Sequence, residues 1–511
     1  MSYVRTIGRV LVVCLAALTV GGCGNGNDEA QPPREIDDLA VEEPAAQART
    51  FNSELPLEVF ALRVDEDWLP KTGEDGLPQE PKELGATPAA EPVTIPEGVE
   101  WYVRPRDDVD MQVLAAEMEA KDIPGVALPP DRTDRDLAHF SGLTQLRWLD
   151  LSWTQVTDAG LKHLKDMTEM RHLSLSGTLV TDAGLEHLKD MTELRELDLW
   201  DTGVTDAGLE HLRGMTEMQT LILSGTQATD AGLEHLKGMT EMRELSLSFA
   251  PVTDARLEQL KGLTQMRKLD LSGTQVTDAG LEHLKAMTEM RQLGLWETQV
   301  TDAGLEHLRD MNEMRYLFLP FTQVTDVGLE HLRAMTELRL LDLTDTQITD
   351  AGLEHIQGMT EMRVLNLWAT QVTDVGLEHI KGMTEMRELK LTDTQVTGAG
   401  LEHLRGMTEM RELILGGTRV ADIGLEHLQV MAQLQHLWLA NTQVTDAGLE
   451  HLRGMAEMRL LDLTGTRVTD AGLEHLRDMA AMRSLNLVGT QVTDEGVAEL
   501  QKALPEVRIL R

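Results

Sequence analysis

Residues 275–298 read QVTDAGLEHLKAMTEMRQLGLWET, and this stretch returns every 24 residues with small edits. Self-similarity at a fixed period of this size marks a repeat solenoid. With Met290 as position 1 and Glu313 as position 24, the template is L/M-R-x-L-x-L-x-x-T-x-V-T-D-A-G-L-E-H-L-K/R-x-M-T-E. Fifteen units begin at residues 146, 170, 194, 218, 242, 266, 290, 314, 338, 362, 386, 410, 434, 458 and 482, without insertion or deletion. The first half of each alternates apolar and variable residues, as around Leu293 and Leu295, a period of two that predicts a short strand. The second half sets Leu305, Leu308 and Met311 at helical spacing behind a Thr-Asp start signal. One strand and one helix cannot bury their apolar sides alone. Stacked units can, through one continuous core and one long parallel sheet.

The opening LxxLxL with a polar residue three places later resembles the leucine-rich repeat family, and TDAGLEHL resembles its bacterial 24-residue class. The resemblance spans Leu146–Pro505. One departure is consistent: position 9, usually Asn in the family, is Thr in fourteen of fifteen units, with Ala250 the exception. The resemblance implies an α/β solenoid, an arc or horseshoe with a parallel sheet on the concave face and helices on the convex face. It also implies protein or peptide binding on the strand side, which is an argument from fold alone.

The chain carries 46 Lys and Arg against 86 Asp and Glu, a net charge of -40. That sign repels nucleic acid and anionic membrane surfaces and favours basic or neutral partners, or simple solubility. The two cysteines, Cys14 and Cys23, lie outside the repeats, so no disulfide framework holds the units together.

Residues 1–22 hold Arg5 and Arg9 and then the apolar run Val10–Val20, too short to span a bilayer and typical of a secretory signal peptide. The run ends in Val20-Gly21-Gly22-Cys23, which resembles a bacterial lipoprotein signal in which Cys23 becomes the acylated N-terminus. The expectation is a chain held to the cell envelope through lipid only, and Gly24 after the cysteine leans towards the outer membrane. Residues 23–106, rich in Pro, Glu, Asp and Ala, read as an acidic flexible tether, with Phe51–Trp68 as an alternative docking segment. Residues 107–145 read as an N-terminal cap, a helix over Asp107–Ala120 followed by a degenerate repeat around Thr133–Leu137. Residues 146–505 hold the fifteen units, and 506–511 add a final strand.

Leu at positions 4, 6, 16 and 19, Val at 11 and Met or Leu at 1 and 22 form the predicted core, which makes the many Met core fillers rather than a metal site. His at position 18, present in thirteen units, recurs once per unit on neighbouring convex helices too far apart to share a metal ion, and reads as surface structure. Asp at position 13, with Gly398 the one exception, reads as a helix-start residue.

Positions 3, 5, 7 and 8 point away from the core and vary. They hold Trp148, Trp153, Trp200, Trp296, Trp368 and Trp438, together with Phe249, Tyr316, Phe318 and Phe321. They also hold thirteen acids against two lysines, Lys268 and Lys390. Such aromatics either bind a partner or stack on one another along the sheet. The candidate site centres on units seven to ten: Trp296, Tyr316, Phe318, Phe321 and Trp368 as anchors, with Glu297, Asp342 and Asp345 as an acidic rim. A membrane-anchored protein recognising a basic or neutral protein or peptide is the expectation, with glycan binding or an adhesion spacer as alternatives. No nucleophile elbow, phosphate loop, zinc signature or dinucleotide loop is present, so neither an enzyme nor a cofactor is expected.

Overall fold

The computed structural model of the protein describes residues 49–61, 82–89, 91–96 and 99–511. The signal peptide, Cys23 and most of the acidic stretch lie outside the described residues. Each unit places a three-residue strand at positions 3–5, from β7 (Trp148–Asp150) through β21 (Ser484–Asn486). Neighbouring strands pair in parallel without slip, so Leu293 faces Leu317 and Leu317 faces Leu341. Identical unit length enforces this register, because a shift of one residue would turn the Leu at positions 4 and 6 out of the core. Those residues are fully buried, as are Val300, Leu305, Leu308 and Met311 of unit seven.

The strand ends at a sharp corner. The hydroxyl of Thr298 donates to the carbonyl of Leu295 at 2.6 Å, and the equivalent bond recurs wherever Thr holds position 9. A residue of this size satisfies a carbonyl within its own unit, which accounts for Thr in place of Asn. Position 8, just before it, has a left-handed backbone in all fifteen units: six glycines and nine other residues, among them Trp153, Phe249 and Phe321. The sheet ladder continues through this corner. The position 8 amide donates to the position 7 carbonyl of the next unit, as Glu297 does to Pro320 at 3.0 Å and Phe321 to Thr344 at 2.8 Å.

The convex side carries the expected helical segments, most of them short turns. Units two, three, six, seven and fourteen carry a single α turn, such as Asp302–Leu305, running into a 3-10 turn, Glu306–Leu308; units nine, ten and fifteen carry the α-helices Asp350–Ile356, Asp374–Ile380 and Asp494–Ala503, and units four, five, eleven and twelve use 3-10 geometry alone. Leu305, Leu308 and Met311 stand three residues apart, a spacing that sets each apolar side chain over the core in either helix type across so short a run.

Asp at position 13 opens the helical turn, in line with its sequence reading, and its carboxylate also reaches the following unit. Asp182 accepts from both the amide and the hydroxyl of Thr205, each at 2.7 Å. The same two-bond rung runs from Asp134 to Thr157, Asp158 to Thr181 and on to Asp470 and Thr493. Glycine at position 15 makes room for it: a Cβ on Gly208 would sit 2.5 Å from Asp182 Oδ1. One joint lacks the rung. Where Gly398 replaces the Asp, Ala421 replaces the next unit's Thr, and Gly398 and Gly424 approach each other as bare backbone.

The first open end of the core is covered by a segment assigned above to the tether. Strand β2 (Leu57–Ala61) pairs antiparallel with both β3 (Lys82–Ala86) and β5 (Trp101–Pro105), and β5 runs parallel to β6 (Gly125–Ala127), which leads into β7. A two-stranded ribbon of β1 (Arg49–Phe51) and β4 (Val93–Ile95) adds Phe51 and Ile95 to the same core. These residues have no core of their own. Leu57, Val59, Trp101 and Val103 are buried because they continue the repeat core, a role that local composition does not reveal. Helix α1 (Met111–Lys121) packs behind them, capped by Asp110. At the far end β22 (Arg508–Leu510) extends the sheet by one strand. The sheet is therefore open, with β3 at one edge and β22 at the other. Among the described residues no helix is long and apolar enough to cross a membrane.

Candidate recognition surface on the concave face

The in-register sheet turns each unit position into a row running along the arc. In the row at position 5, Phe318 lies between Gly294 and Asp342. In the row at position 3, Tyr316 lies between Gln292 and Leu340. Both rings are half-buried and neither makes a ring contact among the described residues. The corner rows at positions 7 and 8 carry the other anchors. Trp296 meets Phe321 with ring centroids 6.5 Å apart, and on its other side meets Phe249 of unit five edge-on at 5.5 Å. Phe249 was not among the expected site residues. It reaches Trp296 because Gly273, at position 8 of the unit between them, leaves room for its ring, where a Cβ would stand 2.6 Å away. Trp153 lies over Gly177 in the same way and meets Trp200 at 5.2 Å.

Trp153, Phe249, Phe321 and Trp368 are 48%, 36%, 39% and 38% exposed, although their neighbours pack against them. The two readings of the aromatics therefore coexist: Trp153, Phe249 and Phe321 touch other rings and still present open faces. Trp148 departs from its reading as an outward residue. It is buried in a stack of Tyr102, Trp148 and His172, with centroids at 4.0 and 4.9 Å, and belongs to the cap.

Glu297 and Asp345 are exposed at position 8. Asp342, at position 5, is the inward member of the rim: it accepts from the amide and hydroxyl of Thr344 at 3.0 and 2.7 Å and from Asn366 at 3.2 Å. Burial pushes its carboxyl above the usual range against these bonds and the nearby Lys390. Trp368 donates its indole N–H to Asp393 at 3.3 Å, which joins a further acid to the patch. Among the described residues no group of three or more His, Cys, Asp or Glu is placed to hold a metal ion.

Asp198, in the same row as Asp342, is pushed up to about 6, chiefly by burial and also by Asp150, against bonds from the Trp200 amide and the Ser174 hydroxyl. A carboxyl raised in the fold holds its proton more tightly folded than unfolded, so it lowers stability as pH climbs from its unfolded value, 3.8, to about 6, and the penalty is complete above that. Asn keeps the acceptor oxygen and removes the charge. Asp198→Asn is therefore expected to raise the melting temperature at about pH 7.5 and to change it little at about pH 4, where both side chains are neutral. Equal shifts at both pH values would rule out this role.

A family model described as leucine-rich repeat matches residues 143–165, 263–285, 335–356 and 481–500. An internalin (inlF) from Listeria monocytogenes superposes with a TM-score of 0.53 at 24% identity, over 64% of this chain and 88% of that one. A leucine-rich repeat protein from Leptospira interrogans superposes with a TM-score of 0.56 at 16% identity, over 73% of this chain and 91% of that one. At these identities the likeness concerns the fold. No curated protein matches the sequence.

Proposed function

Because the chain is a leucine-rich repeat protein, we propose that its concave face recognises a basic or neutral protein or peptide, centred on units seven to ten. The observation that carries this reading is the choice of residue at the left-handed corner. Six units place glycine there without strain, yet the chain places Phe at 249 and 321 and leaves both rings open beside Trp296. A left-handed backbone costs a residue with a Cβ about 1–2 kcal/mol, so exposed aromatics at such a position point to selection for contact rather than for folding. Glu297, Asp345 and Asp393 around them supply a field that attracts cations and hastens association. The experiment is retention of envelope proteins by the immobilised chain at low and high salt. A partner that binds the parent chain and is lost with Trp296→Ala supports the reading, and one retained equally by both chains overturns it.

The anchor belongs to the same proposal. Acylation at Cys23 would hold the chain on the envelope and leave the arc facing its partners. Mass spectrometry of the mature protein is expected to find the N-terminal peptide beginning at an acylated Cys23. An unmodified N-terminus at another residue would remove the anchor and with it the membrane location.

A further inference from the structure

The left-handed corner residues form a comb. In the odd-numbered units from one to thirteen they are Trp153, Asp201, Phe249, Glu297, Asp345, Asp393 and Asn441, all exposed. In the even-numbered units they are glycine, except Phe321 and Ala369. The alternation has a steric cause along much of its length, since the ring or carboxylate of one tooth lies over the next unit's glycine, as Phe249 does over Gly273. Its consequence is that teeth recur every second unit. The backbone ladder passes through these corners with N···O distances of 2.7–3.0 Å, so successive units stand at sheet spacing, about 4.8 Å, and successive teeth about 9.6 Å apart.

Every tooth from Trp153 to Asp393 is a carboxylate or an aromatic face, and both attract a cation. A partner that matches the comb must therefore present cationic side chains about 9.6 Å apart over several steps. An extended strand repeats a face every 6.6–6.8 Å or so and falls out of step at once. A polyproline II helix repeats every three residues, about 9.3 Å, and stays within about 2 Å of the teeth over five steps, well inside the reach of Lys or Arg. Beside the comb, position 7 supplies Trp200, Trp296 and Trp368, and aromatic-lined grooves are the usual seat of proline-rich segments in this conformation.

We propose that the comb binds a polyproline II segment carrying Lys or Arg at every third residue, laid along the arc across the strands. This proposal rests on the concave-face reading above and specifies its partner. The test uses the full chain in mild detergent and two synthetic peptides of equal charge, six Lys-Pro-Pro repeats and six Lys-Pro-Pro-Pro repeats, with binding followed by tryptophan fluorescence. The first peptide is expected to bind at least about tenfold tighter. Phe249→Gly and Asp345→Gly, which restore the residue other units already use and relieve the left-handed backbone, are expected to weaken it about threefold to tenfold each with no fall in melting temperature. Equal affinity for the two peptides, or no binding of either, overturns the proposal. If the peptides bind equally and Trp296→Ala weakens both, the concave face still binds and only the spacing argument fails. If Trp296→Ala weakens neither, the concave-face reading fails with it.

Discussion

Asp182→Ala is expected to lower the stability of the joint between units two and three by about 2–3 kcal/mol, since two bonds to a charged acceptor are lost together and the Thr205 amide loses its partner. In a solenoid each unit is held by its neighbours, so the loss is local and weakens cooperativity across that joint. Hydrogen exchange at the Thr205 amide and the sharpness of the thermal transition read it directly. Protection unchanged at Thr205 would show that the rung adds nothing. The joint without a rung offers the converse. Gly398→Asp together with Ala421→Thr is expected to stabilise by about 1 kcal/mol more than the two single changes summed, because the hydroxyl bond needs both new side chains, while Gly398→Asp alone can accept only from the residue 421 amide. The gain is smaller than the loss at Asp182, since the new Cβ at 398 would meet the Gly424 backbone at 3.0 Å and must push it aside.

Trp296→Ala is expected to weaken partner binding by tenfold or more, about 1.4 kcal/mol or above, and Phe318→Ala to do the same. Trp296 joins Phe249 to Phe321, so its removal takes away the middle of the aromatic line as well as its own face. Phe318 stands on the strand row beside Gly294, where no neighbouring side chain covers it on that side. Neither ring belongs to the repeat core, which is closed by Leu293, Leu295, Leu317 and Leu319, so the melting temperature is expected to stay nearly unchanged. Changes at Glu297 and Asp345 should act instead on association rate and its salt dependence. A large drop in melting temperature with binding intact would make these aromatics stabilisers of the sheet.

Much of this architecture is legible in the sequence, because a core position repeated fifteen times at one spacing leaves little choice of register. What escaped the reading has physical causes. The Asp182 carboxylate is satisfied by a residue 23 places onward, so a local rule assigns it to its own helix start, although the paired absence at Gly398 and Ala421 carries the signal. The apolar spacing of three in Leu305, Leu308 and Met311 fits both helix types over so short a run. The cap strands escape because Leu57, Val59 and Trp101 complete a core that begins 40 residues or more downstream of them. For the site, the outward rows and their aromatics follow from alternation alone. The link from Phe249 to Trp296 does not, because it passes over Gly273 and spans two units.

The rung has one further consequence, for how such a gene can change length. Its two halves belong to successive units and are the same at almost every joint, so unequal crossing-over that adds or deletes whole 24-residue copies leaves each new neighbour with a fitting partner. The array can lengthen or shorten in a single generation without an unmatched carboxylate. The exception is the neighbourhood of Gly398: deleting the copy at residues 410–433 would set that glycine against Thr445 and leave the threonine amide without its acceptor. At that place a deletion keeps the rung whole when it removes both copies, residues 386–433, and so sets Asp374 against Thr445.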